Sequence, residues 1–343
     1  MSDIKLYIEH PGKVVEAGNR FEHVMAIALD PRMNYKEGIV RCIVSRVGDV
    51  TKAGYIDRSA LYNINGATLE RFEITEELKI DNSENIINKL KGSGGDFIGL
   101  EDPDIWIDEK TDLMHVYFTM PVKMTEVDES GHHLWSVNLG HAVGKDLDSL
   151  EMTEPALSGT PDSNAKEISI APLNSHGFRF NLIESSSKRP DWIYSTVRVA
   201  KVKDMGKPWE FGEVVFHPAD HHIAWVGGHA SPGPLFPKSF IDVGENKLLG
   251  ALNGREANQK MPDGSTKYGM FSVGLFVYDY EEGKIDWVSP EPLIIDSEAV
   301  TITFASQFVE TGSGKGILYA HVDDSFVRAY TLEADKIKQL LPI

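Results

Sequence analysis

Along most of the chain, apolar and polar residues alternate or gather in short apolar runs, and they seldom recur at three-and-four spacing. Glu84 to Lys91 and the tail Glu333 to Leu341 are the stretches that hold helical spacing over a useful length. Elsewhere, runs such as Gly38 to Val47, His115 to Thr119, Trp192 to Val202, Lys247 to Leu252, Phe271 to Tyr280 and Gly316 to His321 are bounded by Gly, Pro, Asn and Asp clusters. The pattern predicts an all-β protein.

A weak repeat narrows the architecture. Four times a strand of small and apolar residues runs into a charged turn and then an aromatic or apolar residue: Ser59 to Phe72, Ser136 to Leu150, Ser195 to Phe211 and Ser272 to Trp287. A fifth unit is read from Thr301 to Leu332. Each resembles the outer hairpin of a β-blade, and four-stranded blades of roughly 45 to 70 residues would give about five to seven of them. Closure of the ring by pairing the two chain ends would account for the lack of a linker, leaving one domain over residues 1–343. Trp209 and Trp287, which follow such hairpins, are expected to pack between blades.

Composition fits a folded chain of 343 residues with 41% hydrophobic and 25% charged positions. The excess of 52 acidic over 34 basic side chains gives a formal charge of -18, which disfavours nucleic acid and anionic membrane surfaces as partners. No apolar run approaches the roughly 18 to 20 residues of a membrane-spanning helix, and the first residues lack the apolar block of a signal peptide, so a cytoplasmic location is expected. The one cysteine, Cys42, lies in an apolar run and reads as a buried small hydrophobe. The glycines around Lys315 lack P-loop spacing, no dinucleotide fingerprint or His-Glu-x-x-His is present, and no cofactor is expected.

Candidate chemistry centres on Glu101-Asp102-Pro103-Asp104. Pro103 cannot donate to a ladder and restricts Asp102 to extended geometry, so two carboxylates are held at a strand entrance beside Trp106. In a propeller such entrances line the central funnel, where partial burial would raise one carboxyl while its neighbour stays ionised. An Asx-turn capping the strand is the plainer alternative. His221 and His222 alternate across a strand and cannot both face one metal, so no metal site is expected, whereas His229, in a loop, is a candidate ligand for substrate. Flat apolar faces and cationic donors suit a polar ring-shaped ligand, and Trp106, Trp225, Arg46, Arg58 and Lys166 lie near predicted strand ends.

Glu101-Asp102-Pro103 resembles the Glu-Asp-Pro-Arg signature of glycoside hydrolase family 130, the five-bladed β-propeller β-mannoside phosphorylases and mannosidases. The segments Gly227 to Pro234, Lys247 to Gly254, Ser272 to Tyr280, Glu298 with Thr303-Phe304, and Tyr319 to Asp323 are similar to that family's carboxy-terminal half in their order. The resemblance implies five blades, an oligosaccharide substrate, Asp102 as general acid, Glu101 at the sugar subsite and Asp323 on the hydroxyls of the sugar being cleaved. Family propellers are often oligomeric, which leaves a homo-oligomer open. The departures are equally specific: Asp104 replaces the signature arginine, Ala251-Leu252-Asn253-Gly254 replaces a Tyr-His-Gly, and Phe178-Arg179-Phe180-Asn181 keeps at most one cation of a His-Arg pair. Loss of phosphate-binding cations argues for water as nucleophile.

Inverting hydrolysis needs a second carboxylate about 6.5 to 9.5 Å from the acid. Glu298, Glu167 and the pair Asp323-Asp324 all sit at predicted strand entrances; Glu298 is preferred to Glu167 as base, and Asp323 is reserved for sugar hydroxyls. The expected activity is therefore inverting hydrolysis of a β-mannoside or related oligosaccharide, with a rearranged phosphorylase using Lys166, Arg179 or Arg255 and a non-catalytic carbohydrate-binding propeller as the alternatives.

Overall fold

Strands dominate because apolar β-branched and aromatic residues recur at two-residue spacing, and the burial of each strand follows its place in its sheet. The computed structural model describes residues 6–49, 55–129, 131–190, 192–262, 264 and 266–342. Central strands are covered on both faces and read as continuous apolar runs. The first nine residues of Met114–Val127 are all buried, whereas the outer strand Arg71–Glu77 buries only Phe72.

The chain is all-β, in antiparallel units. Two short strands, β1 (Tyr7–Glu9) and β2 (Val15–Glu16), precede a meander of β3 (His23–Leu29), β4 (Glu37–Val47), β5 (Ile56–Thr68) and β6 (Arg71–Glu77). Helix α1 (Ser83–Lys91) follows, where the helical spacing predicts it. A second unit has β7 (Asp96–Phe97) and β8 (Glu101–Ile107) on β9 (Met114–Val127), then β10 (His133–Gly144) and β11 (Glu151–Met152). A third comprises β12 (Lys166–Ser169), β13 (Arg179–Lys188), β14 (Ile193–Val202) and β15 (Glu210–Phe216).

The fourth comprises β16 (His229–Leu235), β17 (Lys247–Arg255), an excursion β18 (Gln259–Lys260) and β19 (Thr266–Lys267), then β20 (Phe271–Asp279) and β21 (Lys284–Val288). A parallel bridge, Ser195 to His229, joins the third unit to the fourth. The last has β22 (Thr303–Gly312), β23 (Lys315–Val322) and β24 (Phe326–Glu333), and β1 completes it by pairing with β24, Tyr7 opposite Leu332. The helical tail shortens to α2 (Ala334–Ile337) and a 3-10 turn.

The core lies between units. Ile39 and Leu61 of the first pack on Met114 and Phe118 of the second. Tyr117 and Leu139 meet Ile183 and Trp209, and Leu182 and Phe216 meet Leu252 and Tyr278. Leu249 and Leu275 meet Leu318 and Tyr330, and Tyr319 and Val327 return to Val40 and Phe72 of the first unit. Each unit thus buries its face on the next and the last on the first. Trp209 is buried in one of these seams and Trp287 packs at the edge of another. Trp225 is core, donating its indole N–H to the Ser289 carbonyl at 2.9 Å. Cys42 is buried in β4, and burial pushes its thiol up to about 12.

The first strand of every unit carries one extra residue. Register slips occur between Met25 and Ile27 in β3, Glu101 and Asp104 in β8, Lys166 and Ile168 in β12, Pro232 and Leu235 in β16, and Ala305 and Gln307 in β22. Ala26, Asp102 and Glu167 take left-handed φ of 46°, 47° and 48° at these bulges. Such bulges re-aim side chains, and residues of all five line a common space of about 20 Å³.

Candidate active site

Beside that space opens a cavity of about 260 Å³ walled by several units. Asp102 and Glu167 belong to both spaces. A left-handed φ in a residue other than glycine is unfavourable by roughly 1 kcal/mol or more and is retained where the surroundings over-determine it. Here it turns two carboxyls out of their ladders and brings them together: Glu167 hydrogen-bonds Asp102.

Their protonation is set from the sides. Arg41, on β4, sends Nη1 to both oxygens of Asp102 at 2.9 and 3.2 Å and Nη2 to Glu101 Oε1 at 2.8 Å. Burial works to raise Asp102, but Arg41, His321 and Lys166 outweigh it and hold this carboxyl below the usual range. Burial, the charge of Asp102 and the hydrogen bond to it push Glu167 well above its ordinary value. Glu101, buried and next to Asp102 with a single bond from Arg41, is pushed up to about 7. At neutral pH the pair therefore holds one proton, on Glu167, over an ionised Asp102.

Three further groups complete the walls. Asp324 accepts from Tyr55 at 2.7 Å and lies 3.2 Å from His321 Nε2; burial opposes its ionisation, yet these bonds and the Arg41 charge hold it well below the carboxylate range. His321 stacks on Phe304 at 5.1 Å. Glu184, 2% exposed, stands behind the wall with Lys166 Nζ at 3.3 Å and His229 Nε2 at 3.1 Å. Burial lowers the His229 imidazole, so at neutral pH Lys166 is the counter-charge that, with the bonds to His229 and Ser195, keeps Glu184 ionised. Trp135, Phe271 and Phe304 supply aromatic surface.

Of the residues singled out from sequence, Asp102, Glu101, Glu167, Lys166, His229 and Asp324 come together here. Arg46 stands one residue back, bound to Asp57 at 2.6 and 2.7 Å and to the Asp324 carbonyl. The other four lie elsewhere. Asp323 turns its carboxylate onto the backbone N–H groups of Val300, Thr301 and Ile302. Glu298 is 65% exposed and pairs with Arg328 at 2.8 Å. Arg58 pairs with Asp96 at the surface, and Trp106 faces a separate cleft with Arg179 5.1 Å above its ring. Arg41, Tyr55, Trp135, Glu184 and His321 are site residues that sequence patterns do not single out: Arg41, Tyr55 and Glu184 find partners in another unit, and no spacing turns Trp135 or His321 toward the cavity.

Among the described residues no group of three or more His, Cys, Asp or Glu side chains is placed to hold a metal ion, and no helix is long and apolar enough to cross a membrane. The arrangement can hold one proton on a carboxyl pair, fix a second carboxylate, and bind a polyhydroxylated ring between aromatic faces and charge-assisted donors.

No protein-family model matches the sequence, and comparison with curated proteins finds no match. Solved structures do match. A provisionally assigned glycoside hydrolase from Parabacteroides distasonis has a TM-score of 0.64 at 14% identity over 96% of this chain and 97% of that one. A β-1,2-mannobiose phosphorylase from Listeria innocua, in complex with β-1,2-mannobiose, has a TM-score of 0.61 at 14% identity over 99% and 98%. A mannose phosphorylase from Leishmania mexicana, in complex with phosphate, has a TM-score of 0.53 at 12% identity over 95% and 88%. Along nearly its whole length the chain has the fold of these sugar-active proteins, as a divergent example of it.

Proposed function

We propose that the five antiparallel units are the blades of one five-bladed β-propeller and that the protein is a glycosidase cleaving a β-mannoside or related short oligosaccharide in its funnel. The observation that carries this reading is the Asp102–Glu167 pair, turned by left-handed φ at matching bulges into the same cavity and hydrogen-bonded to each other. The pair delivers its proton to the leaving oxygen while water attacks the anomeric carbon. The C–O bond to the leaving group breaks, the water oxygen bonds to carbon, and a carboxylate accepts the water's proton. Glu298, paired away on Arg328, is not assigned that last role. Nor is Glu167, because a group in contact with the acid leaves no room for the water. Asp324, held ionised in the same cavity, is assigned to it. A cytoplasmic site of action on imported oligosaccharides belongs to the same reading.

Phosphorolysis is the second reading, favoured by one observation: Arg255 and Lys166 both line a lobe adjoining the cavity. Against it, Lys166 is already matched by Glu184, and Arg179 lies in the other cleft. Incubation of a β-mannoside panel with and without phosphate separates the two. Free sugar in both buffers supports hydrolysis, and sugar 1-phosphate formed only with phosphate overturns it. In an Asp324→Asn variant, azide should restore turnover with formation of a glycosyl azide if this carboxylate serves the water. Absence of product on every substrate would sink both readings and leave a binding module.

A further inference from the structure

The lobe beside the cavity, about 340 Å³, shares Lys166, His229 and Phe271 with it and is completed by Arg255, Tyr268 and Trp192. Arg255 is only 8% exposed, with its guanidinium 4.4 Å from the Tyr268 ring centroid and 5.2 Å from that of Phe271. Its Nε is buried with no hydrogen-bond partner, and among the described residues no carboxylate lies within ion-pair distance of it. The other cations here are matched: Arg41 by Asp102 and Glu101, Arg46 by Asp57, Lys166 by Glu184. Burial holds the Arg255 guanidinium below its ordinary value, opposed by a hydrogen bond with Tyr268 and by the charge of Glu184, which is beyond ion-pair distance.

A buried, uncompensated guanidinium is costly, and the cost is offset where a ligand brings the missing charge. The unmatched charge is single. Two rings lie against the guanidinium and Tyr268 hydrogen-bonds to it, which leaves the rest of its five-donor fork for a ligand, and a planar carboxylate matches such a fork with two parallel bonds. Phosphate, at about -1.5 to -2 near neutral pH, brings more charge than Arg255 alone balances. The remaining wall is mixed: Trp192 and Ile193 at an exposed rim and Phe271 offer apolar surface for the face of a sugar ring, and Ser195, His229 and Thr301 offer polar groups for its hydroxyls.

We propose that this lobe binds the carboxylate of a uronic acid residue, placed on Arg255 next to the sugar whose bond the Asp102–Glu167 pair cleaves; this rests on the reading of the cavity as a glycoside site. Free mannuronate, glucuronate and galacturonate, their uronamides and inorganic phosphate are titrated calorimetrically into the native protein. At least one uronate should bind, with its amide roughly tenfold to a hundredfold weaker, the usual worth of a charge-assisted bond. Arg255→Gln should erase the difference between acid and amide. Equal binding of acid and amide, phosphate binding tighter than every uronate, or no binding at all overturns the proposal; if Arg255→Gln does not fold, the comparison on the native protein decides alone. Uronate binding in a protein that cleaves no glycoside would leave the subsite standing and remove the catalytic reading. Equal cleavage of neutral and uronosyl glycosides would do the reverse.

Discussion

Glu101 and Asp102 are neighbours on β8, both are held by Arg41, and their carboxyls move in opposite directions. Asp102 takes two bonds from Nη1 and the charge of His321 and stays ionised; Glu101 takes one bond and is pushed up to about 7. If the chain has the proposed activity, the pH–rate profile of the native protein contains an ionisation near 7 that disappears in Glu101→Gln. Asp102→Asn and Glu167→Gln should each lower turnover by about 10² to 10⁴, the usual contribution of a positioned acid. Full activity in either variant would remove the pair from the chemistry.

Asp104 makes a second test, of stability. Burial pushes this carboxyl up to about 7, against an ordinary 3.8, and its own bond to the Ile105 N–H opposes the shift only weakly. Between those values the folded chain holds a proton that the unfolded chain has lost, so stability falls as pH rises from about 4 to 7 and levels off above. The penalty at pH 8 is on the order of 4 kcal/mol. Denaturant midpoints measured from pH 5 to 8 should fall for the native protein by more than for Asp104→Asn, which should be the more stable of the two at pH 8. Parallel curves would refute the assignment.

Glu184 is buried and is the ion-pair partner of the half-buried Lys166. Glu184→Gln removes that partner and should cost about 1 to 3 kcal/mol of unfolding free energy. Lys166→Met in the same chain should recover part of the loss, since the orphaned charge goes with it. Chemical denaturation of the single and double variants reads this directly, and a single variant as stable as the native protein would contradict it.

Glu298→Gln should leave kcat/KM within about twofold of native, because an exposed ion pair contributes little and this carboxylate stands on Arg328, outside the cavity. A loss of a hundredfold would return Glu298 to the reaction.

The sequence carries the strands, the helix Ser83–Lys91 and the Glu101-Asp102-Pro103 cluster because each is written in local alternation, spacing or residue type, but Asp102 is not extended as the following proline leads one to expect: the bulge holds it at a left-handed φ of 47°. It is silent where the answer depends on direction. Asp323 and Asp324 are adjacent and share left-handed φ of 48° and 47°, yet one caps three amides and the other faces the cavity. Trp106 lies near the end of β8, whereas Glu298 lies in a turn ahead of β22, and neither position says whether it opens into the cavity or onto another surface. Arg41 gains meaning only from Asp102, 61 residues along the chain, and Glu184 from Lys166 across the ladder and His229 in the next unit. His321 stands close to Asp324 in the chain, but nothing in that spacing says that both side chains face the cavity.

The bulge repeated in all five first strands makes Asp102 and Glu167 the same structural position in two successive copies of one motif, with Ala26 at a third. Copies that share this turn and line one space offer interchangeable stations. An acid arising at such a station is already aimed at that space, and its neighbour's acid is in reach, as Asp102 and Glu167 are. Chemistry in such a set can pass from one copy to another by single substitutions with the scaffold untouched. That is a physical reason why the arginine of the signature can be absent here while the carboxyl pair is complete.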